Sequence, residues 1–133
     1  MSVDLHGAHG EGWIGVDLDG TLAYYDGWKG AEHIGDPIPK MLDRVVDWVS
    51  CCRKVKIMTA RVSPSKPDHE ECRRHIEAWL AKHVYPRLPE VHPCVCFCIE
   101  VTHEKDHKMT ELWDDRCVQV IPNTGERADG RDE

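Results

Sequence analysis

The chain has 133 residues, 41% of them apolar, and a formal net charge of −7. That length suffices for one domain with a genuine core, and the acidic balance argues against a broad nucleic-acid-binding surface. No apolar run approaches the ~20 residues of a membrane span, so a location in the cytoplasm, away from membranes, is expected.

Residues 1–11 carry His6, His9 and Glu11 but no apolar h-region, and read as a flexible lead-in rather than a secretory signal. Trp13-Ile14-Gly15-Val16 then reads as a buried strand. It runs into Asp17-Leu18-Asp19-Gly20-Thr21, where glycine marks a tight turn. Two carboxylates thus stand at the carboxyl end of a strand, which is where open α/β sheets bind ligands. Their mutual repulsion is on the order of 4 kcal/mol at 4 Å and an intermediate dielectric, and a cation or a shared proton relieves it. The alternative is a solvated acidic turn.

Asp26-Gly27 lies between Tyr24, Tyr25 and Trp28 and reads as a hairpin turn. The three aromatics are candidates either for stacking on a substrate or for packing this flap to the body. Residues 39–52 begin with Pro39 and space Leu42, Val45, Val46, Trp48, Val49 and Cys52 as one helix face. Residues 54–59 alternate and form the second strand, ending at Thr59. Ser65-Lys66-Pro67-Asp68 resembles a capping box that opens a helix through His83, with Cys72, Ile76, Trp79, Leu80 and His83 facing inward.

Residues 94–101 form the third expected strand, 106–110 a connector or helical turn, 111–113 the fourth strand and 117–121 a fifth, stopped by Pro122-Asn123. Residues 124–133 are a polar tail, which leaves 12–123 as the single domain. Strands alternating with helices predict an α/β fold: a three-layer, Rossmann-like arrangement around a mostly parallel sheet. No insertion is long enough for a large cap domain.

Seven cysteines, an odd number, favour free thiols in a reducing compartment. Cys94, Cys96 and Cys98 alternate along a strand, where side chains two apart stand roughly 6.5–7 Å from each other. That spacing suits core packing better than a disulfide within the trio or one tetrahedral zinc. His69, Cys72 and His75 have the helical spacing of a zinc site, against the plainer reading of a polar face. His33 and His92 show no partner in sequence.

Asp17-Leu18-Asp19-Gly20-Thr21 resembles the first motif of the haloacid dehalogenase superfamily, mostly Mg²⁺-dependent phosphohydrolases. Lys56-Ile57-Met58-Thr59-Ala60-Arg61 is similar to the second motif, Lys105 to the third and Leu112-Trp113-Asp114-Asp115-Arg116 to the fourth. Lys108 competes with Lys105, but nine residues before Asp114 leave more room for a connector than six.

The resemblance implies a phosphomonoester hydrolase acting on a phosphorylated small molecule or nucleotide, with a nucleic-acid end not indicated by the charge. It implies that Asp17 attacks phosphorus and forms an aspartyl-phosphate. Asp19 protonates the leaving oxygen and later takes a proton from water. Thr59 donates to a phosphoryl oxygen, and Lys105 balances charge. Asp17, Asp114, Asp115 and Asp19, the last through its backbone carbonyl, are implied to hold Mg²⁺. The direct ligand is either Asp114 or Asp115. Arg61 contacts either the substrate or a surface partner.

Two rivals compete. His103-Glu104-Lys105-Asp106-His107 matches the His-Glu-x-x-His helix of zinc peptidases, with Glu104 as base and Glu111 or Glu126 as third ligand. A non-catalytic phosphate-binding or adaptor module on the same fold is the other.

Overall fold

The structure, a computed structural model, describes residues 12–89 and 99–131. Its centre is a sheet of four parallel strands: β1 (Trp13–Val16), β2 (Val55–Met58), β3 (Glu100–Thr102) and β4 (Met109–Trp113), in the order β3-β2-β1-β4. β1 is buried along its whole length, as its unbroken apolar run requires of a central parallel strand. It pairs with β2 through Ile14 and Val55, and with β4 through Val16 and Trp113.

Helix α1 (Pro39–Ser50) joins β1 to β2, and helix α2 (His69–His83) lies between β2 and β3. Pro39 starts α1 because its missing N–H is unneeded there and its φ is already helical. The helix stops at Ser50, before the expected Cys52. Cys52 adopts φ 67 and donates to the Val49 carbonyl, while Arg53 donates to that of Trp48. This pair of bonds satisfies the last carbonyls and terminates the helix.

Ile14, Val16, Val55, Ile57 and Val101 share one sheet face and merge with Val45, Val49, Ile76 and Leu80 in a single core. Each such fully buried side chain contributes about 1.5–3 kcal/mol. Right-handed crossovers toward the same edge carry both helices to the same side. The other face carries Trp13 and Lys56 and meets the loop of residues 103–108. There Trp13 Nε1 donates to Asp106 Oδ1 at 2.8 Å, and Lys56 Nζ lies 4.5 Å from the Trp13 ring centre. Among the described residues the fold is therefore two-layered rather than three-layered. The α/β class and a parallel, Rossmann-compatible sheet stand. Among these residues no helix is long and apolar enough to cross a membrane.

Several local expectations change. The Ser65 capping box does not form: α2 begins at His69, Asp68 makes no side-chain cap, and Ser65 Oγ bonds Ser63 Oγ at 2.9 Å instead. β4 begins at Met109, within the stretch read as a connector, because the β1 ladder recruits that residue opposite Trp13. Residues 117–121 are not a strand. They make a single antiparallel bridge, Val120 to Arg127, where the polar tail folds back, and Val118, Val120 and Ile121 stay about half exposed. Alternation without a neighbouring strand gives these side chains nothing to pack on.

The Asp26-Gly27 segment is likewise a loop, closed by the lone bridge Ala23 to Pro37. Pro37 has no N–H to extend a ladder. Cys51, Cys72 and Cys117 are free thiols, but Cys52 is disulfide-bonded. An odd cysteine count guarantees one unpaired thiol and forbids no pair among the rest. Cys94, Cys96 and Cys98, and with them most of the expected third strand, lie outside the described residues.

Candidate functional site

β1 is the switch point of the sheet. The chain leaves it toward β2 on one side and returns as β4 on the other, which opens a crevice at the strands' carboxyl ends. Asp17 follows β1, Asp114 and Asp115 follow β4, and Thr59 follows β2. All three segments end at the same rim for the same reason: parallel strands in register.

Beyond Asp17 the chain coils tightly on Leu18, which is fully buried. The Leu18 carbonyl accepts from Leu22 at 3.0 Å and from Ala23 at 2.8 Å. Gly20 takes φ +89, and a Cβ on it would collide with the Asp115 carboxylate. The positive φ is what calls for glycine there, since the exposed Asp115 side chain could swing away.

One carboxylate oxygen each from Asp17, Asp114 and Asp115 lies within 4.8 Å of the others. Asp17 is the innermost of the three. Burial above all, followed by the charges of Asp114 and Asp115, pushes its carboxyl up to about 7 from an ordinary 3.8. Thr21 Oγ1 lies 3.4 Å from Asp17 Oδ2 as a long hydrogen bond. Asp114 is braced by the Arg116 amide, which donates to Oδ1 at 2.7 Å.

A cleft of about 340 Å³ adjoins the cluster, lined in part by Asp17, Thr59, His103, Asp114, Arg116 and Cys117. Thr59 is buried, and its Oγ1 accepts the Arg61 amide at 3.1 Å, which leaves the hydroxyl hydrogen for a ligand. Burial and the neighbouring Asp114 push the Cys117 thiol up, with Lys105 acting weakly in the opposite direction.

Two expected participants stand at the edge of this arrangement. The Asp19 carboxylate lies outside the trio, though near enough for its charge to add to the rise at Asp17: Arg61 Nε and Nη2 grip its two oxygens at 2.8 and 2.9 Å. A bidentate, charge-assisted pair is a stronger partner than a group of like charges. Arg61 is accordingly a buried residue and not a surface one. Lys105 is exposed on the 103–108 loop, does not line the cleft, and makes no ion pair among the described residues. Arg116 supplies a cation at the cleft that sequence reasoning passed over, although its place directly after the acidic pair was the available signal.

The zinc-peptidase segment is not helical. Thr102 Oγ1 accepts the Glu104 amide at 3.1 Å, and Asp106 Oδ1 accepts that of Lys108 at 2.9 Å. These side-chain turns replace helix bonds, so His103 and His107 share no helix face. His69, Cys72 and His75 do not converge either: Cys72 is fully buried in the core, and the histidines lie beside Glu70 and Glu71 respectively. Tyr24, Tyr25 and Trp28 are exposed on their loop by 60%, 39% and 46%; the Trp28 ring is met by Arg61 and Lys66, so it also holds the loop to the body. Comparison with protein-family models, with curated proteins and with solved structures found no match for the chain.

Proposed function

We propose that the chain is a Mg²⁺-dependent phosphohydrolase, similar in its motif order to the haloacid dehalogenase superfamily. The observation that carries this reading is the convergence of Asp17, Asp114 and Asp115 beside a cleft that the buried Thr59 also lines. Three hard oxygen donors with an excess of negative charge suit a divalent cation such as Mg²⁺. When bound there, the cation would neutralise the cluster and draw in a phosphate oxygen.

The protein's own groups then divide the work. Asp17 attacks phosphorus as the bond to the leaving oxygen breaks, giving an aspartyl-phosphate. Asp19 hands a proton to that oxygen and takes one from the water that cleaves the acyl phosphate. Thr59 donates to a phosphoryl oxygen, and Arg116, with Lys105 swinging in from its loop, balances the charge. The substrate is a phosphorylated small molecule or a nucleotide. The exposed Tyr24 and Tyr25 offer faces to a base.

A second reading, phosphate binding without turnover, draws on the Asp19–Arg61 clamp, which occupies both oxygens of the expected acid. One experiment separates them: phosphate release from a phosphomonoester and nucleotide panel, for wild type and Asp17→Asn, with Mg²⁺ and with chelator. Mg²⁺-dependent release lost in Asp17→Asn supports hydrolysis. Saturable binding of inorganic phosphate with no release from the panel supports the binding module.

A further inference from the structure

Arg61 is 5% exposed, and its guanidinium bonds to Asp19 and to the loop of residues 24–36. Nε donates to Asp19 Oδ2 at 2.8 Å, while Nη2 donates to Asp19 Oδ1 at 2.9 Å and to the His33 carbonyl at 3.1 Å. Its Cζ lies 4.8 Å from the ring centre of Trp28, beside which Lys66 Nζ also sits, at 4.1 Å. The remaining nitrogen, Nη1, is buried without a hydrogen-bond partner among the described residues. A buried guanidinium with an orphaned donor is a costly way to gain stability, since a packed apolar pair serves a fold as well or better. Its planar fork, in contrast, fixes a carboxylate's orientation in a way that a lysine does not.

We infer that Arg61 is the positioning residue of this site. One guanidinium sets the Asp19 carboxylate and, through His33 and Trp28, fastens the loop of residues 24–36 beside it. Arg61 acts through Asp19 and not on the substrate. The consequence for turnover rests on the proposed phosphohydrolase reading; the fastening of the loop does not.

The test compares wild type, Arg61→Lys, Asp19→Asn and the double variant by two readouts. The first is kcat and KM for Mg²⁺-dependent phosphate release. Arg61→Lys keeps the charge and loses the fork, so kcat falls about 10- to 100-fold with KM unchanged. Adding Arg61→Lys to Asp19→Asn then lowers kcat no further. Losses that multiply in the double variant, or a rise in KM alone, overturn action through Asp19. The second readout is hydrogen exchange at the Tyr24 amide, which is bonded to the Asp36 carbonyl at 2.8 Å. It quickens in Arg61→Lys while β1 and β2 amides keep their rates; unchanged exchange at Tyr24 overturns the fastening. Should wild type release no phosphate, the phosphohydrolase reading fails, and the exchange result alone upholds or overturns Arg61's role.

Discussion

Asp17 donates its backbone amide to the Trp113 carbonyl at 2.9 Å, a bond that closes the β1–β4 ladder at its carboxyl end. The residues after Trp113 are Asp114 and Asp115. The acidic pair is therefore brought to Asp17 by main-chain pairing, against the repulsion of the side chains themselves. Trp113 is in turn seated on α1, with its ring centre 5.2 Å from that of Trp48 and 5.0 Å from Arg44 Cζ. Backbone geometry holds together charges that would otherwise separate.

Burial of Asp17, with that repulsion added to it, has a consequence for stability. The folded state raises Asp17 to about 7 from 3.8, so between those values it holds a proton that the unfolded chain releases. The resulting contribution is full below the unfolded value and is lost as pH rises through the folded one. In chelator, the melting temperature of wild type should fall from pH 5 to pH 8 relative to that of Asp17→Asn. Parallel melting curves for the two proteins across this range would refute the raised value.

Adding the cation should reverse the effect. Mg²⁺ binding at pH 6 is expected to release a proton, and affinity should rise about tenfold per pH unit below 7 before levelling off above it. Titration calorimetry in two buffers of different ionisation enthalpy reads the proton directly. Heats independent of the buffer would show that Asp17 stays out of the metal site.

Asp17→Asn keeps the side chain's size and removes the proposed nucleophile. Phosphate release should drop by about a thousandfold or more, with the circular dichroism spectrum unchanged. Asp114→Ala and Asp115→Ala should instead retain turnover at a sharply raised Mg²⁺ requirement. An unaltered requirement in both variants would discard the acidic pair as ligands.

Gly20→Ala tests the turn beneath the cluster. The φ of +89 and the approach of Asp115 both oppose a Cβ, and the strained backbone alone costs about 1–3 kcal/mol. The variant should melt earlier and bind Mg²⁺ more weakly, because Asp115 must move. Wild-type affinity in a destabilised variant would separate the turn from Mg²⁺ binding.

Much of this site was legible locally. The apolar run of β1 ending at Asp17, the second strand ending at Thr59 and the Asp114-Asp115 pair after an apolar stretch are patterns of a few residues each. Their carboxyl-end placement follows from strands running parallel. The apolar spacing of α1 and the inward stripe of α2 were readable for the same reason: helix period is a local property. Where the reading failed, local signals were present but lost to a competitor. Residues 117–121 alternate like a strand yet have no neighbouring strand, and the Ser65 cap gave way to a serine–serine bond. The helix motif around His103 yielded to two side-chain turns.

By itself the sequence determined which segments are strands and helices at the core, and which carboxylates stand at strand ends, because both follow from periodicity and turn chemistry over a few residues. The tertiary structure alone decided the strand order β3-β2-β1-β4, the covering of one sheet face by both helices, and the capture of Asp19 by a guanidinium 42 residues away. These are contacts between distant parts of the chain. Their free energy depends on which groups come together when the whole core closes, and no local pattern carries that information.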